Sequence, residues 1–332
     1  MKAIVLERQA RIATRPLALR DIDDPIPGPA EILVRVAACG VCRTDLHVIE
    51  GDLPPRLLPL VPGHQVVGRV AACGAGASRF RPGDRVGIAW LRGTCGSCTF
   101  CREGRENLCD GSRYTGWDAH GGYAESAIVH EGFAYAIPAA FSDTEAAPLL
   151  CAGIIGYRAL RRSRVAPGQK LGLYGFGSSA HIVAQIARHR GCDVYVATRD
   201  ASHRRLAEDL GALWTGDTQD APPVPLDGAI VFAPAGEVVP PALRALSKGG
   251  TLALAGVYMS DLPPMSYDAC LFHEKTLTSV ESNTRADAEE LLREAAAIPL
   301  RPRVTTFGLT EANDALLALA ADGICGTAVL VP

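Results

Sequence analysis

Four cysteines that lie close together in the chain have the spacing of a metal-binding loop. They follow the pattern Cys95-x2-Cys98-x2-Cys101-x7-Cys109. Four thiolates on a short loop can surround a zinc ion tetrahedrally at about 2.3 Å, and a full set of protein ligands leaves no open position. The pattern therefore predicts a structural zinc site. Four incidental free thiols and an iron–sulfur cluster are the alternatives.

Three further side chains are candidates for a second metal site, although they lie far apart in the sequence. They are Cys42 in GVCRTDLH, His64 in PGHQ and Cys151 in LLCAG. Taken singly, His64 is typical of a loop histidine and Cys151 of a small core residue. Taken together, two thiolates and one imidazole hold zinc with balanced charge and leave a fourth position open for water or an alcohol oxygen. An alcohol bound there becomes a hydride donor if a nicotinamide ring lies beside it.

A glycine-rich turn between a predicted strand and a predicted helix indicates a dinucleotide site. The segment LGLYGFGSSAHIVAQIA contains G-x-G-x-x-A, with Ala180 as the third small residue. The first glycine permits the tight turn, and the second lets a pyrophosphate approach the backbone at the helix N-terminus. The predicted contact residues are Gly175, Phe176, Gly177, Ser178 and Ser179.

The tip of the next strand bears on the choice between NAD and NADP. An NAD site usually carries an acid there, which accepts a hydrogen bond from the ribose 2′-hydroxyl. Here VYVATRD places Thr198 at that position and Arg199 after it, which favours a 2′-phosphate and hence NADP(H). In the alternative, Asp200 binds the ribose of NAD(H) and the basic residues form a solvated helix face. The basic residues that follow are His203, Arg204 and Arg205.

These side chains need a scaffold, and the sequence pattern indicates two kinds of architecture. Residues 1–145 show short strands separated by turn signals, which is typical of β structure. Helices and strands then alternate, as in the βαβ units that build a parallel sheet. At the junction, TEAAPLLCAGIIGYRALRRS predicts one helix with Ser142 or Thr144 as its N-cap.

Composition excludes several classes of protein. Hydrophobic residues make up 48% of the 332-residue chain, which excludes a disordered protein. The 33 basic residues less the 36 acidic residues give a net charge of −3, which does not fit a nucleic-acid or anionic-membrane surface. No apolar run is long enough for a membrane span, and the segment KAIVLE predicts a first strand rather than a signal core. We therefore expect a cytoplasmic protein whose clustered cysteines bind metal.

The motifs together resemble one known family. The stretches that carry the resemblance are ACGVCRTDLH, LPLVPGHQVVGRV, RPGDRVGIAWLRGTCGSCTFCREGRENLC, GGYAE, LLCAG and GFGSSA. They resemble the zinc-containing alcohol dehydrogenases of the medium-chain dehydrogenase/reductase superfamily, especially the bacterial primary-alcohol type. The resemblance covers essentially the whole chain.

This resemblance implies an α/β protein with two domains. A GroES-like β catalytic domain would occupy residues 1–148 and 285–332, with a zinc lobe at about 92–112. A doubly wound Rossmann cofactor domain would occupy residues 149–284.

The resemblance also implies roles for individual residues. Cys42, His64 and Cys151 match the catalytic zinc ligands, and the four clustered cysteines match the structural zinc site. Thr44 matches the hydroxyl that binds the substrate oxygen. His47 matches the histidine that passes the proton on, and Asp45 matches the carboxylate behind the zinc histidine. The remaining matches, all to cofactor-binding positions, are Arg43, Ala255, Gly256 and Val257.

The sequence departs from the family pattern at four positions. Gln65 replaces the glutamate that commonly follows the zinc histidine, so a charge near the metal is lost. Ala180 replaces the third glycine of the turn, and Thr198 replaces the ribose-binding acid. Thr327 stands where relatives often carry an arginine near the pyrophosphate.

The sequence thus predicts a zinc-dependent alcohol dehydrogenase or aldehyde reductase that transfers hydride between a primary alcohol or aldehyde and NAD(P). We expect two zinc ions per chain, a homodimer or homotetramer, and neither nucleic-acid nor membrane partners. Leu60, Trp90 and Trp117 are the candidates for the substrate wall. The alternatives are a reductase of another substrate class, such as a polyol dehydrogenase, and a nonenzymatic NADP-binding redox sensor.

Overall fold

The computed structural model describes all 332 residues, Met1–Pro332. The strands are β1 (Lys2–Leu6), β2 (Leu17–Asp21), β3 (Glu31–Val41), β4 (Gln65–Cys73), β5 (Arg85–Ile88), β6 (Leu91–Gly93), β7 (Arg113–Tyr114), β8 (Ser126–His130), β9 (Ala134–Ala136), β10 (Lys170–Tyr174), β11 (Asp193–Ala197), β12 (Trp214–Gly216), β13 (Leu226–Val231), β14 (Leu246–Leu254), β15 (Thr276–Ser279), β16 (Val304–Gly308) and β17 (Thr327–Val331). The α-helices are α1 (Arg43–Glu50), α2 (Thr99–Arg102), α3 (Asp143–Ala146), α4 (Ala152–Arg162), α5 (Ser178–His189), α6 (Ala201–Asp209), α7 (Val239–Ala245), α8 (Tyr267–Cys270), α9 (Arg285–Ala297) and α10 (Ala312–Ala320). None of these helices combines the length and the apolar character that a membrane crossing requires.

The chain forms two compact units. Unit 1 comprises Met1–Cys151, Asn283–Ala296 and Pro302–Pro332, and unit 2 comprises Ala152–Ser282 and Ala297–Arg301. Unit 1 is therefore built from separated pieces of the chain, whereas unit 2 is almost one continuous stretch.

Unit 1 is organised around β3, its longest strand. β3 pairs antiparallel with β4, β8 and β17, and the sheet continues in the order β16-β17-β3-β4-β5-β9. Ile32, Val34 and Val36 are buried while Arg35 is exposed, as the two-residue period of a strand requires. This alternation places apolar side chains of β3 in the core of the unit, and the strand ends beside Cys42.

Unit 2 is a doubly wound parallel sheet. Its strand order is β12-β11-β10-β13-β14-β15, and every neighbouring pair is parallel. Four of the five residues of β10 are buried, because helices cover both faces of such a sheet. The order reverses at β10, and dinucleotides bind at the carboxyl ends of strands beside such a reversal.

The prediction of a single helix over residues 144–163 is wrong. Ser142 caps α3, which gives way to a 3-10 turn over Ala147–Leu150, and α4 begins only at Ala152. Pro148 lies in the turn, and a proline inside a helix removes a backbone donor and clashes with the preceding turn. Cys151 consequently lies in an irregular conformation between the helices (φ −136°, ψ −72°), so its position is set by the break.

Candidate metal centres and active site

The four clustered cysteines form a compact group between β6 and β7. Their four sulfur atoms lie within 4.8 Å of one another. The Cys95–Cys101 distance is 3.9 Å, close to the ~3.8 Å that two zinc–sulfur bonds of ~2.3 Å make at a tetrahedral angle. The donor set and its spacing therefore fit a four-coordinate zinc ion.

Backbone amides in this lobe favour the thiolate form of cysteine. Hydrogen bonds from the amides of Ser97 and Cys98 lower the pKa of Cys95 to about 6. The Thr94 hydroxyl lowers the pKa of Cys101. The thiolate is the metal-binding form, so these hydrogen bonds prepare Cys95 and Cys101 for a cation. At Cys98 a backbone hydrogen bond lowers the pKa, but desolvation and the hydrogen bonds with the other three thiols outweigh it and raise that pKa to about 11.

Substitution of one lobe cysteine tests its structural role. We expect Cys98→Ser to remove one zinc ion per chain and to lower the melting temperature, because the free energy of binding a structural metal contributes directly to the stability of the fold. A loss of about 3 kcal/mol would lower Tm by about 6–12 °C for a unit of this size. Metal analysis and thermal unfolding measure both effects, with Cys325→Ser as the matched control outside either cluster. Unchanged zinc content and Tm in Cys98→Ser would refute a structural metal site.

The three dispersed ligand candidates also come together. Cys42 directly follows β3 as the N-cap of α1, His64 precedes β4, and Cys151 lies at the helix break. The Cys42 and Cys151 sulfurs are 3.9 Å apart, and His64 Nε2 is 3.2 Å from the Cys151 sulfur. The first distance matches tetrahedral zinc, and the second is slightly shorter than the ~3.6 Å of a tetrahedral sulfur–zinc–nitrogen pair. Three ligands of this type leave one position for substrate.

Gly63 allows His64 to reach this cluster. Its φ of +93° lies in the left-handed region, and a Cβ there would meet the Tyr123 ring at 2.3 Å. Both the backbone conformation and the close contact require glycine at this position.

A buried carboxylate supports the cluster from behind. Asp45 Oδ1 lies 2.9 Å from His64 Nδ1, while Asp45 Oδ2 accepts hydrogen bonds from the Cys42 amide (2.8 Å) and the Tyr123 hydroxyl (3.0 Å). The bond to Nδ1 fixes the imidazole so that Nε2 points at the two thiols. Such a carboxylate–histidine pair orients a metal ligand and raises its basicity.

The charges in this cluster are strongly coupled. Burial lowers the pKa of His64, but the charge and hydrogen bond of Asp45, together with Cys42, outweigh it and raise that pKa to about 10. The hydrogen bond from Cys151 lowers the pKa of Cys42 well below its usual value. A bound dication would favour the deprotonated form of all three ligands and release protons on binding.

Two side chains on α1, those of Thr44 and His47, follow the ligand Cys42 in the chain. Thr44 is buried, with its Oγ1 3.7 Å from the Cys42 sulfur, and His47 lies three residues further along the same helix face. His47 Nδ1 is 2.8 Å from Asp52 Oδ2. Sequence reasoning missed Asp52. The only available signal was an acid one residue after Gly51, the glycine that ends α1.

The glycine turn of unit 2 has the shape of a phosphate-binding site. Gly175 follows β10 with a φ of +86°, a conformation that favours glycine. Gly177 is the N-cap of α5, where no side chain caps the helix, and a Cβ on Gly177 would point into open space. Backbone amides at the start of α5 are thus available to an anion, as the predicted pyrophosphate contact requires.

The strand tip after β11 has no acid at the ribose-reading position. Thr198 is buried and its amide donates to Gly216 O. Asp200 caps α6 and accepts hydrogen bonds from the Ser202 and His203 amides, and the Ser202 hydroxyl contributes most to lowering the pKa of Asp200 to about 2. His203 Nε2 is buried and lacks a hydrogen-bond partner.

Two family models match the chain. The alcohol dehydrogenase GroES-like domain matches residues 28–139, and the zinc-binding dehydrogenase domain matches residues 180–297. Together they account for more than half of the chain.

This chain belongs to the zinc-containing alcohol dehydrogenase family.

Individual relatives agree with this assignment. The probable alcohol dehydrogenase AdhA of Mycobacterium tuberculosis (strain CDC 1551 / Oshkosh) is 53% identical over 336 residues, covering 100% of this chain and 97% of the relative. A zinc-binding dehydrogenase from Sinorhizobium meliloti 1021, solved with NADP, is 29% identical with a TM-score of 0.88, covering 100% of this chain and 99% of its own. A solved NAD-dependent alcohol dehydrogenase is 26% identical with a TM-score of 0.92 and complete coverage of both chains.

The predicted family and fold class are therefore confirmed. The alcohol dehydrogenase family architecture of a GroES-like domain with a Rossmann-like domain agrees with the mixed sheet of unit 1 and the parallel sheet of unit 2. The domain boundaries and the roles of individual residues remain predictions.

The candidate substrate-wall residues of this alcohol dehydrogenase do not all lie together. The Trp90 ring meets the edge of His64 at 4.9 Å and stacks on Trp117 at 5.9 Å. Trp117 is fixed by a hydrogen bond from Nε1 to Pro54 O. Leu60 instead lies in the core, where its backbone pairs with Leu6. The structure thus connects the two indoles to the metal cluster and shows no such link for Leu60.

Gln65, which departs from the family sequence pattern, and three of the predicted cofactor-binding residues have the following surroundings. Gln65 is buried and its Oε1 has no hydrogen-bond partner, so the amide lies beside the metal cluster without a fixed contact for that oxygen. Arg43 is ion-paired with Asp322 in unit 1. In unit 2, the Ala255 amide donates to Val231 O, and Val257 is exposed after β14.

Proposed function

We propose that this chain interconverts primary alcohols and aldehydes with NADP(H) as its preferred cofactor and zinc at the Cys42, His64 and Cys151 cluster. The observation that carries the proposal is the three-ligand cluster with the buried Asp45 behind it. As an alcohol dehydrogenase family member, the chain is an oxidoreductase of CH–OH donors. Cysteine at the third ligand position disfavours a polyol dehydrogenase, which commonly uses a carboxylate ligand.

The ligands suit a catalytic ion, since they fill three of four tetrahedral positions. When bound, zinc supplies a Lewis acid that polarises a carbonyl and makes a hydroxyl more acidic. Asp45 holds His64 in the tautomer that ligates through Nε2. The second ion would be held by Cys95, Cys98, Cys101 and Cys109, which gives two zinc ions per chain.

Proton movement is assigned to the residues of α1. Thr44 accepts the proton of the substrate hydroxyl and passes it on through its own hydroxyl. His47 then carries it toward solvent, held in place by the hydrogen bond at its Nδ1 to Asp52. In aldehyde reduction the same groups deliver a proton. The nicotinamide, when bound, supplies or accepts the hydride.

The stacked indoles favour a narrow, planar substrate space. Trp90 and Trp117 lie nearly parallel, with an angle of 11° between their planes, and Trp90 touches His64. A rigid aromatic wall at this point suits primary and aromatic alcohols better than branched secondary ones. Benzyl alcohol is therefore the first substrate to test.

Cofactor preference follows from the strand tip. We expect NADPH to match or exceed NADH in kcat/KM, because no acid repels a 2′-phosphate at Thr198 and Arg199 follows it. A charge-assisted hydrogen bond contributes about 1.5–3 kcal/mol, or roughly ten- to hundredfold in affinity. The use of Asp200 as the cap of α6, and the unpartnered Nε2 of His203, support the same assignment. We expect Thr198→Asp with Arg199→Ile to reverse the order.

Comparing kcat/KM for NADPH with kcat/KM for NADH tests this cofactor preference. A clear preference for NADH in the unmodified enzyme would show that Asp200 binds the ribose and that Arg199 faces solvent. The matched control is Arg161→Ile, on α4 away from the strand tip, which should leave the preference unchanged.

The activity itself is tested by nicotinamide absorbance with benzyl alcohol and benzaldehyde, alongside zinc analysis of the same sample. Turnover that needs zinc supports the proposal. Zinc-replete, folded protein that binds a nicotinamide cofactor and turns over no alcohol or aldehyde would favour the redox-sensor alternative. Light scattering measures the assembly, for which we propose a homodimer or homotetramer.

A further inference from the structure

A cavity in unit 1 adjoins the loop of the four-cysteine cluster, which contributes Thr94 and Gly96 to its lining, and it contains no residue of the dispersed cluster or of the glycine turn. Its volume is about 340 Å³, within the range of small-molecule sites. Three arginines from distant parts of the sequence line it: Arg92 in β6, Arg113 in β7 and Arg285 at the start of α9. Neither the cysteine ligands nor the residues of the proposed proton relay line it, so the cavity has no part in the proposed catalysis.

The lining carries an excess of positive charge. The three guanidiniums and the Glu31 carboxylate of the lining sum to +2 with His130 neutral, and Glu106, which is ion-paired with Arg285, reduces the local charge to +1. Glu31 Oε2 also accepts a hydrogen bond from the Gly28 amide at 2.9 Å, so part of that carboxylate is already engaged. No acidic side chain forms an ion pair with Arg92 or Arg113. Like charges this close oppose one another unless an anion is present.

The structure holds Arg92 and Arg113 close together. Arg113 pairs with Gly93 across the β6–β7 ladder, one residue from Arg92. Burial lowers the pKa of Arg92, the Glu31 charge partly offsets this, and the Arg113 charge lowers the pKa again. The Arg92 guanidinium is fixed by hydrogen bonds to His120 O (3.4 Å) and Ile128 O (3.1 Å), which leave other N–H groups for a ligand.

Arg285 and His130 are also oriented by their neighbours. Arg285 donates through its backbone amide and Nε to Glu106 Oε1, and its guanidinium carbon stands 5.2 Å over the Phe133 ring. Both terminal nitrogens of Arg285 thus remain available. His130 Nδ1 accepts a hydrogen bond from the Gly132 amide, so the neutral ring carries its proton on Nε2, as a donor.

We infer that this cavity binds a phosphoryl dianion, either inorganic phosphate or the phosphate group of a small phosphorylated molecule. The planar forks of guanidinium groups match phosphate oxygens in pairs. The net positive charge of the lining attracts a dianion, and the volume leaves room beyond the phosphate itself for a small organic group. The inference does not depend on the alcohol dehydrogenase activity, because the cavity shares no residue with that site.

The test is a calorimetric titration of zinc-replete protein with inorganic phosphate at constant ionic strength, with chloride as the reference anion. We expect saturable binding. Arg113→Gln and Arg285→Gln should each weaken it about tenfold or more, since a hydrogen bond to a charged group is lost. Arg81→Gln, an exposed arginine outside the cavity, is the matched control and should leave the affinity unchanged. Phosphorus NMR of the same samples gives an independent readout.

The outcomes separate the sources of the ligand and the possible failures. Tighter binding of phenyl phosphate than of inorganic phosphate would indicate a phosphorylated metabolite, and equal binding would indicate free phosphate. No saturable binding, or equal weakening in Arg81→Gln, would overturn the inference. It would also fall if Arg199→Ile abolished binding while Arg113→Gln did not, because the phosphate would then occupy the cofactor site.

Discussion

Replacing Thr44 with valine should slow alcohol oxidation by about 10²–10⁴-fold, the usual contribution of a positioned proton transfer. Valine keeps the shape of threonine but removes the hydroxyl, which lies 3.7 Å from the Cys42 sulfur and three residues before His47 on α1. Zinc content and cofactor affinity should stay unchanged, because neither depends on this oxygen. Single-turnover measurement of nicotinamide absorbance isolates the chemical step.

The control for that experiment is Thr44→Ser, which retains the hydroxyl and should keep most of the activity. His47→Gln should cost less than Thr44→Val, mainly at lower pH, where solution bases are scarce. If Thr44→Val turned over within a few-fold of the unmodified enzyme, proton transfer through this hydroxyl would be excluded.

Removal of the ion held by Cys42, His64 and Cys151 should abolish turnover while the fold persists. A Lewis acid contributes several kcal/mol to transition-state stabilisation, which corresponds to roughly 10³-fold or more in rate. We expect two zinc ions per chain. A chelator should readily remove one of them with loss of activity, and added zinc should restore the activity. The ion in the four-cysteine lobe should resist the same treatment, because that site is closed.

A substitution in the dispersed cluster tests the same requirement for zinc without a chelator. Cys42→Ala should lose one ion and the activity, whereas Cys73→Ser, a lone cysteine outside both clusters, should lose neither. Metal analysis that found one ion or none in the unmodified chain would contradict the two-site assignment. Full activity in Cys42→Ala would show that the dispersed cluster does not take part in catalysis.

Sequence distance explains which parts of the site were predictable. The lobe from Cys95 to Cys109 is a local pattern, so its spacing alone indicated a metal. The second cluster joins residues from three distant segments, so their chemistry made them candidates, and the family resemblance matched them to one set of zinc ligands. The pairing of Asp45 with His64 came from the same resemblance and is present at 2.9 Å.

Other features of the site arise only when distant segments meet in the folded chain, so the sequence carried little or no signal for them. The helix break that sets Cys151 was missed because the apolar pattern continues through Pro148. The contact between His47 and Asp52 needed the turn after α1, and the arginine cavity needed three separate segments to meet. Periodicity identified the parallel sheet of unit 2 well, since each βαβ repeat is local in sequence. The cytoplasmic location stays a prediction.

The discontinuous sheet of unit 1 has a consequence for the order of events during protein synthesis. Strand β17, near the C-terminus, pairs with the end of β3, with Leu330 opposite Cys39 and Ala328 opposite Val41. Domains generally begin to fold while the ribosome is still extending the chain. All of Ala152–Ser282 has emerged before β17 exists, so the nascent chain carries an open strand edge immediately before Cys42. We therefore expect zinc to enter the dispersed cluster only after β17 has emerged and paired with β3.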